Sequence, residues 1–217
     1  MKSKSLLHKI VLLVLILVGV LSFFWLVVIR VLARLAGGQP CPYAIAWIVD
    51  NPLRRRYMDR VLDRIGIRPG ERVLELGPGP GAFTTRAARR AGPGGSLVAV
   101  DIQPKMIAAL EQKVRAAGLT NVEARVASAY ELPLEDGSVD RAFLVTVLPE
   151  IPDRWRALAE LRRVLKPGGV LSITEEFFDP DYPLARTTIR WAAEAGFELA
   201  QRHGNWWVYT LNFQKPA

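Results

Sequence analysis

The stretch Val73-Leu-Glu-Leu-Gly-Pro-Gly-Pro-Gly81 limits what this chain can become more than any other. Val73, Leu74 and Leu76 form a short apolar run, as a strand buried on both faces of a parallel sheet requires. Gly77, Gly79 and Gly81 follow at alternate positions. Glycine reaches positive φ and lets a ligand approach the backbone with no Cβ in the way. Ala82 to Arg90 then reads as a helix. Strand, glycine turn and helix together aim backbone N–H groups and a helix N-terminus at a ligand beyond the strand's carboxyl end. Glu75 stands at the mouth of that turn. Alone, such a turn is a weak sign: it is also found as plain structure, and Gly77 to Ala82 satisfies the loose dinucleotide pattern.

The remainder of the chain alternates. Ser96–Val100 reads as a second strand ending at Asp101, and Pro104–Ala117 as a helix stopped by Gly118. Val122–Ala127 and Val139–Val147 read as strands three and four, Asp153–Leu165 as a helix ended by Lys166-Pro-Gly-Gly169, and Val170–Thr174 as strand five. Tyr182–Ala195 is a further helix. Phe197–His203 and Trp206–Phe213 are strand-like with only Gly204-Asn205 between them, which predicts an antiparallel hairpin. Leu199, Trp207, Tyr209, Leu211 and Phe213 give that hairpin an apolar face. The expected fold class is α/β: a doubly wound, Rossmann-like sheet of seven strands, mostly parallel, closed by an antiparallel C-terminal hairpin.

Ahead of this domain, Ile10 to Ile29 is a run of 20 residues without a charge, broken only by Gly19 and Ser22. As a helix it would be about 30 Å long, the thickness of a bilayer's hydrocarbon core. A cleaved leader usually has a shorter apolar region, so a retained transmembrane helix is expected, with residues 1–35 as a membrane anchor. Residues 36–52 form a linker and entry segment around Gln39-Pro-Cys-Pro42, and 53–217 form the main domain. Lys2, Lys4 and Lys9 on one flank and Arg30 and Arg34 on the other leave orientation undecided by charge. Leu53 to Ile65 predicts an amphipathic helix, with Tyr57, Val61 and Ile65 on one face and five arginines elsewhere. It reads as a cover for the sheet, and its basic face suits anionic headgroups.

Net charge is +8, and all of it lies in residues 1–72, which hold 12 Lys and Arg against 4 Asp and Glu. Residues 73–217 hold 17 of each sign. A nucleic-acid groove in the main domain would more often carry its own excess, so no nucleic-acid partner is expected. The single cysteine, Cys41, excludes an intrachain disulfide, and no Cys/His cluster has metal-ligand spacing.

Four features in order now resemble a family: the glycine turn at 73–81, Val98-Ala-Val-Asp101, Glu131-Leu-Pro-Leu-Glu-Asp-Gly-Ser-Val-Asp140, and Leu165-Lys-Pro-Gly-Gly169 followed by a strand and the hairpin. Over roughly 65–217 the chain resembles the class I S-adenosylmethionine-dependent methyltransferases of small-molecule type. The resemblance implies S-adenosylmethionine as cofactor. It places Gly77, Gly79 and Gly81 beside the cofactor's amino-acid end, Glu75 at its amino group, Asp101 at the ribose hydroxyls and Ile102 on the adenine face. Relatives often have Gly-Asp-Ala where this chain has Ala127-Ser128-Ala129, so Ser128 takes the position of the acid that receives the adenine amino group, with Tyr130 nearby. Glu150, after strand four, is the candidate catalytic residue. Plainer readings stand beside these: Asp101 as a helix cap, Glu75 as a strand-end acid, Glu150 as a residue opening the next helix, and His203 as structural. The expected activity is methyl transfer to a lipophilic or lipid-like small molecule, and a lipid amine headgroup and a quinone-like ring both fit. The cofactor is made in the cytosol, so the domain is expected on the cytoplasmic side. A non-catalytic cofactor-binding module and an RNA adenine methyltransferase are the alternatives.

Overall fold

The computed structural model describes residues 2–32, 40–45 and 55–217. The expected linker and the start of the basic helix, at 33–39 and 46–54, lie outside the described residues. Helices are α1 (Lys2–Phe23), α2 (Arg55–Ile65), α3 (Thr84–Ala91), α4 (Pro104–Ala116), α5 (Arg154–Val164) and α6 (Ala185–Glu194). Strands are β1 (Arg72–Leu76), β2 (Ser96–Asp101), β3 (Val122–Val126), β4 (Val139–Val145), β5 (Leu165–Glu176), β6 (Glu198–Gly204) and β7 (Val208–Gln214).

Seven strands make one sheet in the order β3-β2-β1-β4-β5-β7-β6. The first five are parallel, and β7 runs antiparallel to both β5 and β6. The chain leaves β1 in one direction through β2 and β3, then returns to build β4 and β5 on the other side. That reversal opens a crevice between β1 and β4 at the carboxyl ends of the strands.

Side chains along the central strands alternate between two apolar layers, as the twofold strand period requires. Val73, Leu97, Ala99 and Phe143 join the layer under α2, α3 and α4. Leu74, Val98, Val100, Ala142 and Leu144 join the layer under α5 and α6. On α2, Met58, Val61, Leu62 and Ile65 are fully buried. Its acids face α3, where Arg86 pairs with Asp59 at 3.3 Å and Arg90 with Asp63 at 2.8 Å. The polar Arg141 in β4 has a reason to be there. Its guanidinium grips both carboxylate oxygens of Glu71 at 2.8 and 3.0 Å and donates to the Ile65 carbonyl at 2.9 Å, tying the end of α2 to the sheet.

Several expectations need correction. Strand four ends at Val145, two residues early, because Thr146 adopts φ of 55°, a left-handed conformation that no strand continues. Strand five is longer than expected, and Lys166 to Gly169 form an irregularity inside it as the register shifts from Val139↔Leu165 to Arg141↔Val170. The helix expected at Tyr182 begins at Ala185, because Tyr182 precedes Pro183 and is biased to extended backbone. The hairpin loop is Asn205 to Trp207 rather than Gly204-Asn205. The Asn205 side-chain oxygen accepts from the N–H groups of Trp207 and Val208 at 2.9 and 3.2 Å, replacing a two-residue turn. Tyr209, Leu211 and Phe213 are buried as expected, whereas Leu199 and Trp207 are exposed. Leu199 sits at a register shift in the edge strand.

The N-terminal run is helical from Lys2 to Leu32, but not as one α-helix: α1 stops at Phe23 and Phe24–Ile29 are π-helical. Taken singly, no helix among the described residues is long and apolar enough to cross a membrane. The single spanning helix expected at 10–29 is therefore not what the structure contains. Most of its described apolar side chains, including Ile10 to Val18, stand exposed. At the end of the run, Arg30 lies 4.5 Å over the Phe177 ring and donates to the Phe177 carbonyl.

Candidate active site

A cavity of about 220 Å³ fills the crevice at the strand tips. Its first wall comes from β1, β2 and the turns that leave them. Gly77 holds φ of 71° and donates its N–H to the Val100 carbonyl at 2.9 Å, which bends the turn across the end of β2. A Cβ there would lie 2.5 and 2.7 Å from the two methyls of Val147, so only glycine fits. Gly79 differs: a Cβ would meet nothing within 4 Å, leaving open space beside the backbone. Its N–H donates to Asp101 Oδ2 at 3.2 Å, and Gln103 N–H donates to Asp101 Oδ1 at 2.9 Å. Asp101 thus braces the glycine turn and its own loop while lining the cavity. Burial pushes its carboxyl above the ordinary value, and the backbone donors oppose that.

Glu75 is only 3 % exposed, and its Oε2 has no hydrogen-bond partner among the described residues. Burial raises its carboxyl to about 8, against the lowering influence of the Thr84 hydroxyl and Lys113. A buried carboxyl with an open acceptor costs stability unless a cation or donor meets it.

Ile102, Ser128, Ala129, Tyr130 and Glu150 line the same cavity. Ile102 is 59 % exposed, an apolar side chain standing at the rim. Ser128 Oγ accepts from the Tyr130 N–H at 3.1 Å, so one lone pair of the expected adenine contact is already engaged. The Tyr130 hydroxyl accepts from the Asp153 N–H at 3.0 Å, which fixes the ring. Gly81 is the exception among the expected residues. It does not line the cavity: its N–H closes the turn onto the Pro78 carbonyl at 3.1 Å, and it packs against Leu110. His203 lies on the edge strand, its ring nitrogen 3.4 Å from Gln201 Oε1, and is no part of the cavity.

The second wall was largely missed. Glu150 ends a short 3-10 turn, Leu148–Glu150, and accepts from the Cys41 N–H at 3.3 Å. The Cys41 carbonyl accepts from the Gln103 side chain at 3.0 Å. Pro40 and Cys41 therefore form a strap from the loop after β2 to the turn after β4. Burial first, then Asp179, push Glu150 to about 8. Asp179, on the loop after β5, also lines the cavity, and burial raises it to about 6. Only the proline-flanked position of Cys41 could have hinted at the strap, and nothing local marked Asp179.

Residues 74–173 match the family model described as a methyltransferase domain. A similar curated protein is an uncharacterized 37.1 kDa protein in transposon TN4556 of Streptomyces fradiae, 39 % identical over 132 residues, covering 59 % of this chain and 38 % of that one. Another is the ubiquinone/menaquinone biosynthesis C-methyltransferase UbiE of Vibrio vulnificus, 35 % identical over 137 residues, covering 61 % of this chain and 53 % of that one. The chain thus spans about half or less of the curated relatives it matches. In fold it is similar to the crystal structure of a SAM-dependent methyltransferase from Aquifex aeolicus, with a TM-score of 0.76, 24 % identity, and coverage of 81 % of this chain and 99 % of that one.

Residues 74–173 are a methyltransferase domain. Its cofactor is S-adenosylmethionine. The residues of this methyltransferase domain suit that cofactor. The open Oε2 of Glu75 answers an ammonium group, the space beside Gly79 admits a ligand against the backbone, and the Asp101 carboxylate keeps acceptor capacity beyond its two backbone donors.

Proposed function

We propose that the chain is a membrane-associated methyltransferase acting on a lipophilic small molecule, with its catalytic domain on the cytoplasmic side. The observation that carries this is Arg30. It ends the exposed apolar run and rests on Phe177, two residues before the cavity residue Asp179. A lipid-facing segment that ends beside the cavity would bring a bilayer-dissolved acceptor to it. The exposed aromatics Phe178, Trp206 and Trp207 lie around the same point, and such side chains favour the membrane interface. The apolar run, α-helical to Phe23 and π-helical beyond, would sit in lipid, with the basic face of α2 against anionic headgroups. The quinone-pathway name of the Vibrio relative supports a lipophilic acceptor. No nucleic acid enters this reading.

The cofactor supplies a methyl group on a positively charged sulfur. In this reading Glu75 holds its ammonium end, and the turn at Gly77 and Gly79 passes along its amino-acid portion. Asp101 accepts from the ribose hydroxyls, Ile102 packs on the adenine, and Ser128 to Tyr130 close the far side. Glu150 faces the acceptor and can take a proton from it. The strap at Pro40 and Cys41 helps to exclude water, without which a sulfonium methyl and a nucleophile cannot meet productively.

Deleting residues 1–35 tests the membrane part. Cofactor affinity by calorimetry should be unchanged, and turnover on an acceptor embedded in vesicles should fall about tenfold or more, as expected when effective concentration is lost. Equal turnover by both forms would remove the membrane from the reading.

A further inference from the structure

We propose that the second wall of the cavity is a cation subsite, and that the acceptor presents an amine, protonated before transfer, to Glu150 and Asp179. The inference rests on the reading above, in which the cofactor occupies the Glu75 and Asp101 side.

The lining carries the argument. Its acids are Glu75, Asp101, Glu150 and Asp179, and among the described residues no lysine, arginine or histidine lines it. Two described cations act on these acids from outside the lining. Lys113 donates to the Gly81 carbonyl at 2.9 Å, and Arg30 lies on Phe177 outside the lining, although its charge reaches Asp179. Glu75 and Asp101 are matched by the cofactor's ammonium and ribose, which leaves Glu150 and Asp179 to the acceptor. Behind them is a third acid. Glu175, on β5, is fully buried, and neither carboxyl oxygen has a hydrogen-bond partner among the described residues. The charges of Asp179 and Glu150 are the two strongest acting on it. Three carboxyls gathered where water is scarce repel one another, so they ionise there only when a cation arrives to offset the charge. A cation relieves all three at once.

The same field selects against other acceptors. A phenolate or enolate would oppose ionisation of those carboxyls and would meet no positive side chain among the described lining residues. An ammonium is attracted, and its N–H bond breaks with the proton passing to the Glu150 carboxylate. The nitrogen keeps the electron pair and would form the N–CH3 bond as the S–CH3 bond of the cofactor breaks, its electrons returning to a neutral thioether sulfur.

The test uses the full chain in non-ionic detergent, loaded with S-adenosylmethionine so that the sulfonium charge is already in place. Choline is compared with 3,3-dimethyl-1-butanol, its neutral isostere, by calorimetry. Choline should bind about tenfold or more tightly, in keeping with a desolvated cation. Glu150→Gln and Asp179→Asn should each reduce the ratio, with cofactor affinity retained as the sign that the domain is folded. A ratio near one, no binding of either probe, or a preference that survives both substitutions together would overturn the subsite. Failure of S-adenosylmethionine itself to bind would overturn the underlying assignment of the cavity instead. Phosphatidylcholine vesicles that displace bound choline would assign the amine to a lipid headgroup. Choline retained in their presence would assign it to a free amine.

Discussion

The two walls of the cavity are built by opposite means. The first, from Glu75 to Asp101, is made within about thirty residues of chain. Its contacts run between adjacent strands and their turns: Gly77 to Val100, Gly79 to Asp101. The second is assembled from distant segments. Cys41 reaches Glu150 and Gln103, and Asp179 arrives on the loop after β5. A wall made of strand tips is rigid because the sheet is. A wall made of loops holds only as well as its few hydrogen bonds, which suits the side where substrates must enter and leave.

The largest expected effect falls on the rigid wall. Gly77→Ala forces a left-handed φ on an L-residue and sets a methyl against a β-branched side chain that cannot rotate away. Strain of about 1–2 kcal/mol and overpacking of about 1–3 kcal/mol should combine. Thermal melting should drop by several degrees, and cofactor affinity by calorimetry by about a hundredfold. Adding Val147→Ala should restore much of the stability, because it removes the clash but not the φ strain. A variant that melts and binds like the parent would show that the glycine turn is not the rigid element of the pair.

Glu75→Gln comes next and separates charge from shape. Hydrogen bonds to charged groups contribute about 1.5–3 kcal/mol, so cofactor affinity should fall about 10- to 100-fold. Stability should move the other way. Glu75 and Glu150 both hold their protons in the folded chain up to about 8, against an ordinary 4.5. Between those values the folded state binds more protons than the unfolded one, so stability falls as pH rises through the window. Melting temperature without cofactor should decline from pH 5 to pH 8, and Glu75→Gln should flatten part of that decline. An unchanged slope would place the responsible protons on Glu150 and Asp179 of the loop wall and on Glu175 behind them.

This division also governs what the amino-acid order could reveal. Every contact in the first wall is local to a strand–turn–helix unit, so the spacing of three glycines and two acids after apolar runs was enough to find it. Gly81 was the one misplacement there, since nothing in the spacing tells which glycine faces a ligand and which packs on Leu110. The sheet was equally legible, because both the buried runs and the antiparallel ending leave periodic traces. Thr146 was not: a β-branched residue inside an apolar run reads as strand, and its left-handed backbone is imposed from outside. The Cys41–Glu150 hydrogen bond joins residues 109 apart, and the Arg30–Phe177 contact residues 147 apart. No local pattern encodes either. The division of the apolar run at Phe23 was likewise silent, because α and π registers use the same side chains.

The smallest effect should come from the strap, and it probes the loop wall directly. Pro40 and Cys41 are tied by two hydrogen bonds, and in both the cysteine contributes only main-chain atoms. Cys41→Ala should therefore leave the strap in place. Gln103→Ala deletes the side-chain donor to the Cys41 carbonyl, a neutral hydrogen bond whose net contribution is about 1 kcal/mol. That is enough to raise the strap's open population about fivefold and to speed cofactor release by a similar factor. Stopped-flow fluorescence should show this in Gln103→Ala and not in Cys41→Ala, with melting temperatures nearly unchanged in both. If cysteine removal speeds release while glutamine removal does not, the thiol rather than the backbone holds the strap. The loop wall would then depend on a side chain whose thiol is kept protonated by burial and by the acids around it.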